Sequence, residues 1–240
     1  NLLKRKEEVI HNIEEQGLLT NELKQDILKQ TKLQRVEDLY RPFKQKKKTR
    51  ATEAKRKGLQ PLADIIKKGD NTTPIQQLAP TYISEEVQTM DEAIKGAQDI
   101  LAEQISDNPK YRTKILKDTY QQGKIITQKK KNAEDEKSIF EMYYDFSEPI
   151  KSIANHRILA INRGENEKVL TAKIAMDSTG LENFIRKQEI TENNPNSDLI
   201  IIAIQDSLKR LIMPSIEREI RSDLTTKAEN HAIDVFSENL

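Results

Sequence analysis

Helical periodicity recurs along most of the chain and constrains its fold more than any other feature. The clearest case is residues 89–106, where Thr89 and Glu92 have the spacing of a capping box and apolar residues then return every three or four positions. Only seven of the 240 residues are glycine, whereas the tight turns of sheets use that residue repeatedly. We therefore predict a predominantly all-α chain, folded as a multi-helix scaffold.

Three short amphipathic segments open the chain. The first spans residues 2–16 and ends at Gly17, a residue that tolerates left-handed backbone at the end of a helix. Thr20 can cap the second segment, and Pro42 stops the third. Because three short helices with tight joints resemble a helix-turn-helix, we predict a helix-turn-helix-like part here.

The middle of the chain has a less regular pattern. Residues 127–137 are polar and without periodicity, which indicates an exposed loop or the entry to a helix. The segment after them is predicted to be a helix that carries Ile139 and ends before Pro149.

The last third of the chain leaves two alternatives open. Residues 156–176 fit a short β-hairpin that turns at Gly164, and they equally fit a helix through Glu165 followed by one strand, since short apolar runs do not separate the two. A helix is then predicted from Ser197, with Pro214 kinking or restarting it, and the apolar pattern continues as a long helix toward the end of the chain.

Positive charge is concentrated in one stretch, residues 41–57. It holds nine bases and one acid, so it carries +8 on a chain whose formal net charge is +1. Lysine and arginine side chains that neutralise phosphates release condensed counterions, so clustered bases favour sequence-independent binding to a nucleic-acid backbone. The predicted nucleic-acid-binding residues are Arg41, Lys44, Lys46, Lys47, Lys48, Arg50, Lys55, Arg56 and Lys57.

A simpler interpretation of the basic stretch remains open. Tyr40 and Phe43 lie beside the charges and could stack on unpaired bases. They could equally be core anchors, with Pro42 shaping the turn and the lysines merely solvated. Of these two roles for the aromatic residues, we expect packing rather than stacking.

Several classes of function find no support in the sequence. The absence of cysteine excludes disulfides and thiolate catalysis and is typical of a reducing compartment. His11, His156 and His231 have no metal-ligand spacing, and no phosphate loop or nucleophile–base motif occurs. No signal peptide or long apolar span is visible. We therefore expect a non-enzymatic, cytoplasmic protein without metal, cofactor or membrane contact.

Four stretches together resemble the amino-terminal region of the Tex family of bacterial transcription accessory proteins. They occur in the same order as in the family and span most of residues 15–240. They are VEDLYRPFKQKKKTRATEAKRKGLQPLADII, TMDEAIKGAQDILAEQISDN, YYDFSEPIKSIANHRILAINRGENEKVL and RLIMPSIEREIRSDLTTKAENHAIDVFSENL.

The resemblance implies a domain organisation. Residues 1–149 would form a helical region with the helix-turn-helix-like part and the basic stretch. Residues 150–240 would form a second helical region that ends in a long helix, truncated before a YqgF-type RNase H-like domain. Family members carry further downstream modules, including an OB-fold that binds RNA and is not part of this chain.

The resemblance also implies a function and its partners. The chain would be a scaffold of a transcription factor that contacts RNA or DNA through the nucleic-acid backbone. The alternative is a protein-interaction module that docks RNA polymerase, as part of the transcription machinery, or the downstream domains of its own full-length chain.

Overall fold

The computed structural model describes residues 2–44 and 48–238, and it is predominantly helical with one small sheet. This confirms the predicted fold class. In chain order the elements are α1 (Leu2–Glu15), α2 (Asn21–Lys29), α3 (Leu33–Tyr40), α4 (Arg50–Arg56), α5 (Gln60–Lys68), α6 (Ile75–Leu78), α7 (Met90–Ser106), α8 (Pro109–Gln122), β1 (Lys124–Lys129), β2 (Asp145–Pro149), α9 (Asn155–Asn166), β3 (Leu170–Ala175), α10 (Thr179–Glu189), α11 (Ser197–Asp206) and α12 (Met213–Glu238).

The chain forms two compact units. Unit 1 comprises Asn1–Thr113 and Leu181–Ile212, and unit 2 comprises Lys114–Gly180 and Met213–Leu240. The division at residue 149, which the sequence and the resemblance predict, stays a prediction. Within the described residues, none of the helices combines the length and the apolar character that crossing a membrane requires.

The first three helices of unit 1 form a cluster with its own core. Gly17 has a φ of 68° at the end of α1, and the Thr20 hydroxyl accepts a hydrogen bond of 3.1 Å from the Leu23 amide at the start of α2. The buried apolar residues of the cluster are Val9, Ile13, Ile27, Val36 and Tyr40. The three amphipathic segments are thus helices, whereas a helix-turn-helix role for them stays a prediction.

Helix α7 is the centre of the rest of unit 1, where it packs against α4, α5 and α11. Its buried face carries the small residues Ala93, Gly96 and Ala97, which let neighbouring helices approach closely. At Gly96 the Leu59 side chain occupies the space that a Cβ atom would need. The packing around α7 is therefore tight, and a larger residue in place of Gly96 would displace the Leu59 side chain.

A loop of unit 1 covers the carboxyl end of α5. The helix ends at Gly69, whose φ is 68°. Asn194 Nδ2 donates to the Lys67 carbonyl (3.1 Å), and Asn196 Nδ2 donates to the Ile66 carbonyl (3.3 Å). Both asparagines are buried, so these bonds satisfy helix-end carbonyls that water does not reach.

Unit 2 contains an antiparallel sheet of strand order β2–β1–β3. In the register of the central strand, Ile126 lies opposite Ser147 of β2 and Lys173 of β3. Thr127 is buried in β1 and donates a 2.6 Å hydrogen bond to the Tyr143 carbonyl, which fixes the turn before β2.

This sheet corrects part of the sequence prediction. The predicted helix between Ile139 and Pro149 is wrong, because the chain forms a short 3₁₀ turn at Glu141–Tyr143 and then β2. The strand β1 also takes in residues 127–129 of the predicted loop or helix entry. Strands of five or six residues are too short for their own periodicity to identify them, and they form here because they pair with each other.

Residues 156–176 adopt the second of the two predicted alternatives, a helix followed by one strand. The helix α9 packs against α12. Asn162 receives a 3.0 Å hydrogen bond from Arg221 and donates one of 2.8 Å to Thr225, and Arg221 also pairs with Glu165. Pro214 is the second residue of α12, which directly follows a π-helical segment at Ser207–Ile212, and the predicted kink or restart at this proline stays a prediction.

Candidate nucleic-acid interface

The aromatic residues beside the basic stretch belong to the core. Tyr40 is 8% exposed and packs among the buried residues of the three-helix cluster. Phe43 is half-buried and packs against the same cluster. The Arg5 guanidinium lies over the Tyr40 ring, 5.6 Å from its centroid. The expectation that these aromatics pack rather than stack on bases is therefore confirmed.

Asp38, just before the basic stretch, pairs with several arginine side chains. Its carboxylate is 2% exposed and accepts hydrogen bonds from Arg35 Nη1 (2.6 Å) and Arg112 Nε (2.8 Å). Arg112, which belongs to α8, is itself only 1% exposed. Arg41 Nη2 lies 3.8 Å from Asp38 Oδ1. The first predicted phosphate-binding residue is thus half-buried and paired within the protein.

Helix α4 displays the second half of the basic stretch, and its start is strongly specified. The Thr49 hydroxyl accepts a bond from the Thr52 amide (3.0 Å), while the Thr52 hydroxyl accepts one from the Thr49 amide (2.7 Å). This reciprocal pair satisfies two amides that the helix leaves without partners. Ala51 and Ala54 are buried, so the opposite face of α4 lies in solvent with Lys55.

Five of the predicted cations are exposed, and among these Lys48 alone has a carboxylate of the described residues within ion-pair distance. Lys44, Arg50, Lys55 and Lys57 are exposed, and within residues 2–44 and 48–238 none of them forms an ion pair. The Lys48 side chain is 81% exposed and lies 4.0 Å from the Glu53 carboxylate. Lys46 and Lys47 lie outside the residues that the structure describes.

Arg56 is exposed but already bound to carboxylates. It donates to both oxygens of Glu86, from Nη1 at 2.9 Å and from Nη2 at 2.7 Å, and Nη2 also lies 3.4 Å from Glu53. The hydrogen bond from Arg56 lowers the pKa of Glu86. A phosphate would have to displace Glu86 from this bidentate ion pair, so Arg56 is a weaker candidate for phosphate binding than its neighbours.

An open cleft of about 710 Å³ lies beside the basic stretch in unit 1. Among the described residues that line it, four are basic and five are acidic. The acids come from residues 53–99, and Asp91 and Glu92 belong to the first turn of α7. Sequence reasoning missed this cleft, because the Thr89–Glu92 capping box identifies the start of α7 but not which helix lies next to it.

Comparison with known proteins identifies the class. A family model described as Tex central region-like matches residues 70–236, which is more than half of the chain. The chain therefore belongs to the Tex family, as the sequence motifs predict.

Its relatives are longer proteins. The chain is 49% identical over 245 residues to Uncharacterized protein YdcI of Bacillus subtilis (strain 168), covering all of this chain and 34% of the relative. It is 31% identical to Transcriptional accessory protein Tex of Neisseria gonorrhoeae, covering 100% and 32%. It is 30% identical to Protein tex of Bordetella pertussis (strain Tohama I), covering 97% and 31%. The chain thus spans about a third of the length of these curated relatives.

Proposed function

We propose that this chain is a non-enzymatic helical scaffold of a transcription accessory factor, and that its basic stretch contributes sequence-independent binding to RNA or DNA. Membership of the Tex family and a relative named for a transcriptional accessory role support the first part. A cytoplasmic location belongs to the same proposal.

The exposure of Lys44, Lys48, Arg50, Lys55 and Lys57 is the observation that carries the second part. Cations that are not already neutralised gain most from meeting phosphates, because the released counterions then favour binding. Arg41 and Arg56 contribute less, since each would exchange a carboxylate for a phosphate. Lys46 and Lys47 enter the proposal on the sequence alone.

A binding titration tests the proposal. Alanine at Lys48, Arg50, Lys55 and Lys57 together should weaken binding to a fluorescent duplex or single strand by about tenfold or more at low salt. The matched control replaces four exposed lysines elsewhere in unit 1, namely Lys24, Lys29, Lys110 and Lys187. Equal losses in the two variants, or no binding by the unaltered chain at low salt, would refute the proposed interface.

One observation favours a second candidate function, a protein-interaction module. Near the end of α12, Ile233 is 62% exposed and Phe236 is 67% exposed. Large apolar side chains grouped on a surface are typical of protein interfaces. If the chain is such a module, the double substitution Ile233→Ser and Phe236→Ser should abolish binding to purified RNA polymerase or to the separately purified downstream domains. Serine at Ile202, which is 47% exposed on α11, should not.

A further inference from the structure

The cleft beside the basic stretch has the size and composition of a ligand site. Its volume of about 710 Å³ lies within the range of roughly 300–1,000 Å³ that small-molecule sites occupy. Three of its lining residues, Ala54, Leu59 and Val87, are buried and apolar. They form an apolar floor to the cleft, of which only a small area is exposed.

The two sides of the cleft differ in net charge, because the α4 side holds three bases with one acid, Glu53, and the α7 side holds three acids with one base, Lys95. Lys48, Arg50 and Lys57 come from the segment of α4 and are exposed. Asp91 and Glu92 come from the first turn of α7 and line the other side. A ligand with a phosphate would keep that phosphate on the α4 side, because the carboxylates of α7 repel it.

Asp99 supplies a carboxylate oxygen that has two cations near it but receives no hydrogen bond from the described residues. It lines the cleft, is only 9% exposed, and its Oδ1 atom has no hydrogen-bond partner among the described residues. Lys95 Nζ is 3.5 Å from this oxygen and Arg210 Nη2 is 4.0 Å away. A buried acceptor without a donor is costly. The Lys95 side chain is 52% exposed, so it can move aside when a better-placed donor arrives.

We propose that this cleft is a subsite for one unpaired nucleobase, with an amino-bearing base such as cytosine preferred. The inference rests on the proposed function: the basic stretch holds the backbone, and the cleft receives a base from the same strand. The amino group of cytosine donates to carboxylates, whereas thymine presents a carbonyl oxygen at that position and would face Asp99 with an acceptor. Bases in a duplex are already paired, so the subsite favours single strands.

The experiment compares three labelled strands of about 12 nucleotides, a length that single-strand sites commonly cover. They are oligodeoxycytidine, oligothymidine and an abasic strand with the same phosphates. We expect the first to bind about fivefold more tightly than oligothymidine, which corresponds to one discriminating hydrogen bond. The abasic strand should bind most weakly.

Two substitutions that each remove one negative charge complete the test. Asp99→Asn should remove the preference for cytosine over thymine while leaving binding of the abasic strand unchanged. Asp64→Asn, on the exposed face of α5, should keep the preference. The comparison of the three strands uses the unaltered chain, so it holds even if Asp99→Asn impairs folding.

The possible failures are distinguishable. If all three strands bind equally and the four-alanine variant still loses binding, the nucleobase subsite is refuted and the basic interface stands. Retention of the cytosine preference by a folded Asp99→Asn variant also overturns the subsite. If none of the three single strands binds, the nucleobase subsite is refuted, and the titration with duplex DNA decides separately whether the basic interface stands.

Discussion

At the scale of single residues, Asp38 explains why the basic stretch begins where it does. Its buried carboxylate holds Arg35 and Arg112 by hydrogen bonds, and Arg41 lies 3.8 Å from it at the first position of the stretch. Tyr40, two residues after Asp38, anchors the same turn in the core. The Asp-Leu-Tyr-Arg-Pro sequence is therefore a structural anchor, and the exposed cations available to a ligand, Lys44, Lys48, Arg50, Lys55 and Lys57, all follow it.

Loss of the Asp38 carboxylate should destabilise the protein strongly. Asp38→Ala removes a buried carboxylate that pairs with the buried Arg112 guanidinium, so we expect the free energy of unfolding to fall by about 3 kcal/mol or more. Urea denaturation measures this. Glu37→Ala, which breaks the half-exposed pair with Arg5, should cost about 1 kcal/mol or less. Similar losses for the two variants would contradict a special role for Asp38.

The sequence predicts these residues only in part. The burial of Tyr40 and Phe43 could be predicted, because Pro42 ends a helix whose apolar face continues into both aromatics. The pairing of Asp38 with Arg112 could not, because the two residues are 74 positions apart and no local pattern links them. The same holds for Arg56 and Glu86, which are 30 positions apart. A linear charge count therefore overstates how many cations of the stretch are free.

At the scale of elements, the ends of helices are specified by glycine and by amide side chains. Gly17 and Gly69 both have a φ of 68°, a conformation that costs other residues about 1 kcal/mol or more. At Gly17 the space that an alanine methyl group would take is open, with nothing within 4 Å, whereas at Gly69 that methyl group would overlap the side chain of Asn194.

An alanine series separates backbone strain from overlap. Gly17→Ala should lower the free energy of unfolding by about 1 kcal/mol, and Gly69→Ala should lower it further, because Asn194 must move. Gly180→Ala lies at the start of α10 with free space around it and should be neutral or slightly stabilising. Thermal unfolding of the three variants gives the order, and equal effects at Gly17 and Gly69 would show that Asn194 does not constrain the helix end.

Helices were easier to predict than strands for a physical reason. Amphipathic helices such as α7 repeat their pattern over several turns, so the local sequence contains the signal. The strand β2 has only five residues and is stabilised by its pairing with β1. This interaction is non-local, so the sequence of β2 alone does not indicate it. The charged cleft is non-local in the same way, since its two sides come from α4 and α7.

At the scale of the whole molecule, acidic and basic side chains are nearly balanced, and neighbouring cations lower the pKa of Asp70, Glu86 and Asp206. Asp206 is an example: hydrogen bonds from Arg210 lower its pKa below the usual value, and Lys95 and Arg50 act in the same direction. Because the unfolded carboxyl group binds its proton more readily, this stabilisation is present above about pH 4 and is lost as the pH falls through the folded pKa.

Acid denaturation tests this linkage. Asp206→Asn should be less stable than the unaltered chain at neutral pH, and the difference should shrink as the pH drops from about 4 toward 2. Asp64→Asn, at an exposed position, is the matched control. A stability difference for Asp206→Asn that stays constant over this range would show that Arg210 does not favour the ionised carboxylate.

The salt dependence of nucleic-acid binding tests the central claim most directly. If the five exposed cations each contact a phosphate on duplex DNA, the logarithm of the binding constant should fall with the logarithm of salt concentration with a slope of about −4.5. Alanine at Lys48, Arg50, Lys55 and Lys57 should flatten that slope by about 0.9 for each phosphate that the variant no longer neutralises. A slope near zero, or one that these four substitutions leave unchanged, would contradict the account.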